Sequence, residues 1–161
     1  EAVWGLGCDP WNREAVEYIL ELKQRPMEKG VILVAASVEQ VRFLLDPLPD
    51  AVQSEALRHW PGPVTCLLPD VNQQVPEWVR GKHSSIAVRV SDHPVVRALC
   101  EATGMPLVST SCNPAGRQTA RAIWQVRRYF GDRIDRIVPG ALGGNRKPSR
   151  IIDIVTGQQF R

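Results

Sequence analysis

Two cations one residue apart begin the chemical reading. Lys23 and Arg25 stand in Lys23-Gln24-Arg25-Pro26, with Lys29-Gly30 just beyond. Arginine offers a planar fork and lysine a point charge, so the pair can grip a phosphate or a carboxylate. Lys23 continues the stripe Val16, Ile19, Leu20 at i, i+3, i+4, i+7 spacing, which predicts that it lies on the core-facing side of a helix. The plainer reading is that cations at a helix C-terminus complement the dipole. A second segment, Ser109-Thr110-Ser111-Cys112-Asn113-Pro114, ends an apolar run in hydroxyls and an amide. Leu107, Ser109 and Ser111 should share one strand face, and open α/β sheets place ligand loops at strand ends. Such groups can cradle phosphate oxygens or a ribose; turn chemistry of Ser and Asn is the alternative.

Three further places could contribute. Trp60-Pro61-Gly62-Pro63-Val64-Thr65 is a stiff turn that brings the Thr65 hydroxyl to a strand start, or simply anchors Trp60 in the core. Gly143-Gly144-Asn145-Arg146-Lys147-Pro148-Ser149 joins a flexible pair to two cations and a serine; it could close over an anion or be a solvated loop. It lacks the Gly-Lys-[Ser/Thr] of a Walker A loop. Arg89 interrupts Ile86-Ala87-Val88-Arg89-Val90 on the less hydrophobic strand face, either merely exposed or facing a cleft whose anionic ligand would neutralise it.

These residues need elements to position them. The patterns predict helices over 13–24 with Asn12 as N-cap and Pro26 as stop, 38–45, within 49–59, and 94–103 with proline in the first turn. A further helix, capped by Thr119, should run through Phe130. Strands are expected at 31–36, 64–68, 86–90, 106–111, 136–138 and 151–155. Ile86, Val88 and Val90 should face one way, Ala87 and Arg89 the other. Helices and strands alternate, but some strands follow one another directly, so the fold class is α/β with a mixed sheet.

Composition bounds the rest. With 161 residues, 43% hydrophobic, the chain suits one domain with a sizeable core. No apolar run approaches the roughly 20 residues a membrane helix needs, so no membrane partner is expected. Cys8, Cys66, Cys100 and Cys112 form no Cys-x-x-Cys pair, and the histidines add no ligand spacing, so no metal ligands are assigned. Scattered cysteines suit a reducing cytoplasm. The formal charge of +3 fits an anionic ligand or RNA, or an ordinary surface.

Taken in order, the motifs resemble the YrdC/Sua5 family, in its short single-domain bacterial form, over residues 1–161. Glu1 to Asp9 looks like its opening strand-turn; Lys23-Gln24-Arg25 matches its Lys-x-Arg motif and Ser111-Cys112-Asn113 its Ser-x-Asn motif. Trp60-Pro61-Gly62-Pro63-Val64-Thr65, Ala87 to Pro94, Lys147-Pro148-Ser149 and Thr156-Gly157 match other signatures. The resemblance implies a twisted sheet flanked by helices, with an electropositive cleft. It also implies a helix and strand before Glu1, ending in Pro-Thr.

The implied activity is L-threonylcarbamoyladenylate synthesis, a nucleotidyl transfer from ATP with L-threonine and bicarbonate, Mg²⁺ accompanying the nucleotide. The product would pass to a threonylcarbamoyl transferase complex for t6A modification of tRNAs that read ANN codons; tRNA itself is a further candidate partner. By family match Lys23 and Arg25 are the catalytic candidates. Ser111 and Asn113, with Ser109, would hold the nucleotide; Arg89, Thr65, Lys29 and Ser149 are second-tier binding candidates. Cys112 stands where the family commonly has alanine and is read as a filler. Two alternatives are a non-catalytic RNA-binding module, for which aromatics at 6% are thin, and a carbamoyl-adenylate enzyme of hydrogenase maturation.

Overall fold

A computed structural model describes residues 2–144 and 149–160. Twelve elements build it: β1 (Gly5–Leu6), α1 (Arg13–Lys23), β2 (Ile32–Ala35), α2 (Arg42–Leu45), α3 (Asp50–His59), β3 (Val64–Pro69), α4 (Glu77–Arg80), β4 (Ser85–Val90), α5 (Pro94–Thr103), β5 (Leu107–Ser111), α6 (Ile123–Phe130) and β6 (Arg150–Asp153). The six strands lie in the order β1-β5-β2-β4-β3-β6. β2 with β4 and β3 with β6 are parallel; the other three pairs are antiparallel, so the sheet is mixed as expected.

The register sorts the side chains into two faces. One row runs Val108, Leu33, Val88, Cys66, Ile152 across β5, β2, β4, β3 and β6. Its first four members are at most 1% exposed, and they pack beneath Val16 and Leu20 of α1, Leu44 and Leu45 of α2, Ala56 of α3 and Val79 of α4. Burying each such aliphatic side chain contributes about 1.5–3 kcal/mol, so a charge at Val88 would disrupt the sheet. The neighbouring row is Ser109, Ile32, Ala87, Leu67, Asp153. Only part of that face is covered, by α5, whose Cys100 packs on Val34 and Ala36. The uncovered part is the floor of a cleft.

Local chemistry sets several boundaries. Asn12 caps α1 as predicted, its side chain accepting from the Ala15 N–H at 3.1 Å. Gln24, not Pro26, ends the helix: it is left-handed (φ 52°), and its N–H bonds back to Glu21 and Leu20. Trp60 takes the anchoring reading, 7% exposed, with Nε1 donating to the Val64 carbonyl at 3.1 Å.

Other expectations need correction. The helix through Phe130 begins at Ile123, not at Thr119: Gln125 Oε1 accepts from the N–H groups of Arg121 (2.7 Å) and Ala122 (3.1 Å) and serves as the cap. Residues 136–138 are irregular; they pair with no strand, and Val138 stays exposed. The 38–45 helix splits into a 3₁₀ turn, Val38–Val41, and α2. The last strand stops at Asp153, whose Oδ1 accepts from Val155 N (2.9 Å) and Thr156 N (3.1 Å) and turns the chain back. α4, a single turn, escaped the periodicity because four residues carry no period.

Candidate active site

The cleft encloses about 710 Å³ on the half-covered face. Six of the nine predicted site residues line it: Arg25, Lys29, Arg89, Ser109, Ser111 and Ser149. Lys23, Asn113 and Thr65 do not; each supports a lining residue from behind.

Lys23 is 5% exposed and reaches from the end of α1 to the turn after β5. Its Nζ donates to the carbonyl oxygen of Ser111, to that of Asn113 at 2.9 Å, and to Asn113 Oδ1 at 3.5 Å. Ser111 Oγ donates to the same Asn113 Oδ1 at 2.7 Å, and Asn113 Nδ2 donates to the Arg117 carbonyl at 2.8 Å. The Ser-x-Asn turn is therefore wound around one ammonium, and Ser111 is its member in the cleft wall. Cys112 points into a separate apolar cluster with Leu6, Ile19 and Phe130, the filler role expected of it. Burial, with Arg25 adding a smaller repulsion, pushes the Lys23 ammonium down from 10.5 to about 8.

Arg25 is half-buried; its Nε and an Nη donate to the Gly30 carbonyl at 3.1 and 2.9 Å. That folds the 3₁₀ turn Met27–Lys29 back on itself and brings Lys29 to the same wall. The turn and the residues after it are stitched to α4 and the segment that follows: Val31 N bonds to Val79 O (2.8 Å) and Lys82 N to Glu28 O (3.1 Å). The approach demands two glycines. A Cβ on Gly30 (φ +60°) would lie 2.6 Å from the Arg80 carbonyl, and one on Gly81 (φ +68°) 2.5 Å from that of Glu28.

Arg89, on the cleft face of β4, is only 8% exposed, so the merely exposed reading fails. Thr65 is fully buried, and its hydroxyl pairs with Ser149 Oγ at 3.3 Å, linking β3 to the start of β6. Residues 145–148, which carry Lys147 and Pro148 of the expected loop, lie outside the described residues.

Among the described residues the charged lining is Arg25, Lys29, Arg80, Arg89 and Asp153. The sequence reading missed Arg80 and Asp153, the hydroxyls of Ser85 and Thr119, and the ring of Phe160, whereas Thr110, inside the hydroxyl run it singled out, does line the cleft. Asp153 sits on the strand predicted over 151–155 between Ile152 and Ile154, and that alternation was the available signal; Ser85 lies one residue before the strand predicted over 86–90. No described His, Cys, Asp and Glu side chains form a group of three suited to a metal, and no described helix is long and apolar enough to cross a membrane.

The family Sua5/YciO/YrdC, described as telomere recombination, matches residues 1–161. All of the chain aligns, at 99% identity, with 85% of a threonylcarbamoyl-AMP synthase from Marinobacter nauticus. It aligns at 57% identity with 86% of the threonylcarbamoyl-AMP synthase of Pseudomonas aeruginosa. The structure of P. abyssi Sua5 complexed with L-threonine superimposes with a TM-score of 0.85 at 32% identity, over 95% of this chain and 45% of that longer one. The chain belongs to the Sua5/YciO/YrdC family.

Proposed function

We propose that this chain is an enzyme that makes threonylcarbamoyl-AMP and pyrophosphate from ATP, L-threonine and bicarbonate, for t6A modification of tRNAs that read ANN codons. The observation that carries the reading is that Lys23 of the Lys-x-Arg motif is hydrogen-bonded into the Ser111-x-Asn113 turn at the wall of a cation-lined cleft that Arg25 also lines. The relatives named above support it.

In this reading the threonine nitrogen takes up bicarbonate carbon with loss of water. The resulting carboxylate oxygen attacks the α-phosphorus of ATP, and the bond to the β-phosphate oxygen breaks, releasing pyrophosphate. Formally it is a nucleotidyl transfer. Such a step needs charge neutralisation and alignment more than a covalent nucleophile. Arg25, Lys29 and Arg89 supply charge at the cleft wall, Ser109, Ser111 and Ser149 supply hydroxyl contacts to phosphate or ribose, and Lys23 and Asn113 hold the Ser111 corner in shape.

Magnesium would accompany ATP. Asp153, the lining carboxylate among the described residues, already has Oδ1 committed to two backbone N–H groups. With no described group of three His, Cys, Asp or Glu side chains suited to a metal, the ion would be carried by the phosphates of the nucleotide and water. Residues 1–161 act as a single YrdC-like domain in the cytoplasm, passing product to a threonylcarbamoyl transferase complex and its tRNA. The deciding experiment measures pyrophosphate release with L-threonine against L-alanine and L-valine. Release that requires threonine and bicarbonate supports the synthase; a folded protein that releases none with any of the three overturns it.

A further inference from the structure

Arg80 lines the cleft, yet no motif called for it and the Lys-x-Arg and Ser-x-Asn segments do not contain it. Its backbone lies against Gly30, so the stitch that fixes Arg25 and Lys29 fixes Arg80 beside them. Its side chain is held from behind. Nε is shielded from water, makes no hydrogen bond among the described residues, and lies 3.7 Å from Asp70 Oδ2. An Nη donates to the His83 carbonyl at 2.7 Å. The Asp70 side chain is 1% exposed, and its two oxygens accept from Gln74 N (2.9 Å) and Val75 N (3.0 Å).

A buried carboxylate anchored by two backbone donors cannot follow a wandering arginine; it fixes the arginine's stem. A surface arginine serving stability alone would need no such backing, since exposed ion pairs contribute little. With three donors still on the guanidinium beyond Nε and the His83 contact, the fork retains capacity for a planar anion.

We propose that Arg80 is an anion-binding residue of this cleft, contacting either the phosphates of ATP or a carboxylate on the threonine side, and that Asp70 is its positioning residue. The proposal rests on the synthase reading for its substrates but not for its binding measurement.

The test compares Arg80→Ala, Arg80→Lys and Asp70→Asn with the parent protein. ATP and L-threonine affinities are measured by calorimetry, with KM for each, kcat and Tm alongside. Losing a charge-assisted contact should weaken one ligand roughly tenfold, with kcat and the other KM within about twofold. Arg80→Lys should recover part of the loss as a point charge, and Asp70→Asn should raise the same KM by a smaller factor. A change confined to ATP assigns Arg80 to the phosphates; one confined to threonine assigns it to a carboxylate. Unchanged affinity for both ligands overturns the proposal. So does a uniform loss of both that follows Tm and that lysine does not rescue. Should Arg80→Ala fold poorly, Arg80→Lys and Asp70→Asn decide alone. Absence of threonine-dependent turnover in the parent protein would sink the synthase reading, while ATP calorimetry would still judge Arg80.

Discussion

Lys23 Nζ donates to the carbonyl oxygen of Asn113 at 2.9 Å, tying the last residue of α1 to the turn after β5 across the wall of the cleft. With the Ser111 carbonyl and Asn113 Oδ1 as further acceptors, the ammonium ties three oxygens of that corner together. Lys23→Met keeps the stem and removes the donor. It should reduce kcat/KM for threonine-dependent pyrophosphate release by about a hundredfold or more, the scale seen when one preorganised donor is lost. Stability should fall as well, by about 1–3 kcal/mol, because the Ser111 and Asn113 carbonyls stay behind without their donor. A variant with near-normal kcat/KM would show that the corner holds without Lys23.

The same lysine gives the site a pH limit. Its proton leaves at about 8 in the folded protein and at 10.5 in a free lysine. Between those values the unfolded chain binds more protons, so this group makes folding more favourable as pH rises through the window, and less favourable below it. The catalytic effect has the opposite sign, since the neutral amine has one donor fewer for its three acceptors. kcat/KM should therefore fall above about pH 8, while Tm does not fall in step. Lys23→Arg, which keeps its charge across this range, should lack that alkaline limb. A limb that persists unchanged in Lys23→Arg would assign it to another group.

The two-glycine stitch predicts a structural cost with a functional consequence. Gly30→Ala and Gly81→Ala each force a Cβ into a backbone carbonyl, at 2.6 and 2.5 Å, from a positive φ. Each should destabilise by about 2 kcal/mol or more, read as a drop in denaturation midpoint. Gly104→Ala, also at positive φ (+69°) but with nothing within 4 Å, should cost less. Equal losses at all three would mean that φ alone, and not the close approach, sets the cost.

What the sequence disclosed depended on what each residue's neighbours left visible. Alternation in Ile86-Ala87-Val88-Arg89-Val90 put Arg89 on the cleft side because a half-covered sheet sorts its faces by polarity. The stripe through Val16 and Leu20 placed Lys23 inward for the same kind of reason. Neither pattern could show that Lys23 spans 90 residues to Asn113, a contact made by the β5–β2 pairing and not by any local rule. Arg80 was invisible because α4 has one turn and its anchor Asp70 lies in a loop. The start of α6 was misplaced because Thr119 looked like a cap, whereas Gln125 supplies one from inside the helix.

The Thr65–Ser149 pair isolates support from contact. Thr65 is fully buried and lines no part of the cleft, whereas Ser149, one hydrogen bond away at 3.3 Å, does line it. Thr65→Val keeps the shape and removes the hydroxyl, leaving Ser149 without this partner. It should cost about 1 kcal/mol of stability. If Ser149 contacts a substrate, loss of the Thr65 partner holds its hydroxyl less firmly in place, and KM should rise several-fold while kcat holds. Ser149→Ala removes the contact itself and should raise the same KM at least as far. The double variant should then be no worse than Ser149→Ala, because Thr65 acts only through Ser149. Additive losses in the double variant would instead give Thr65 a role of its own in the β3–β6 pairing that shapes the cleft floor.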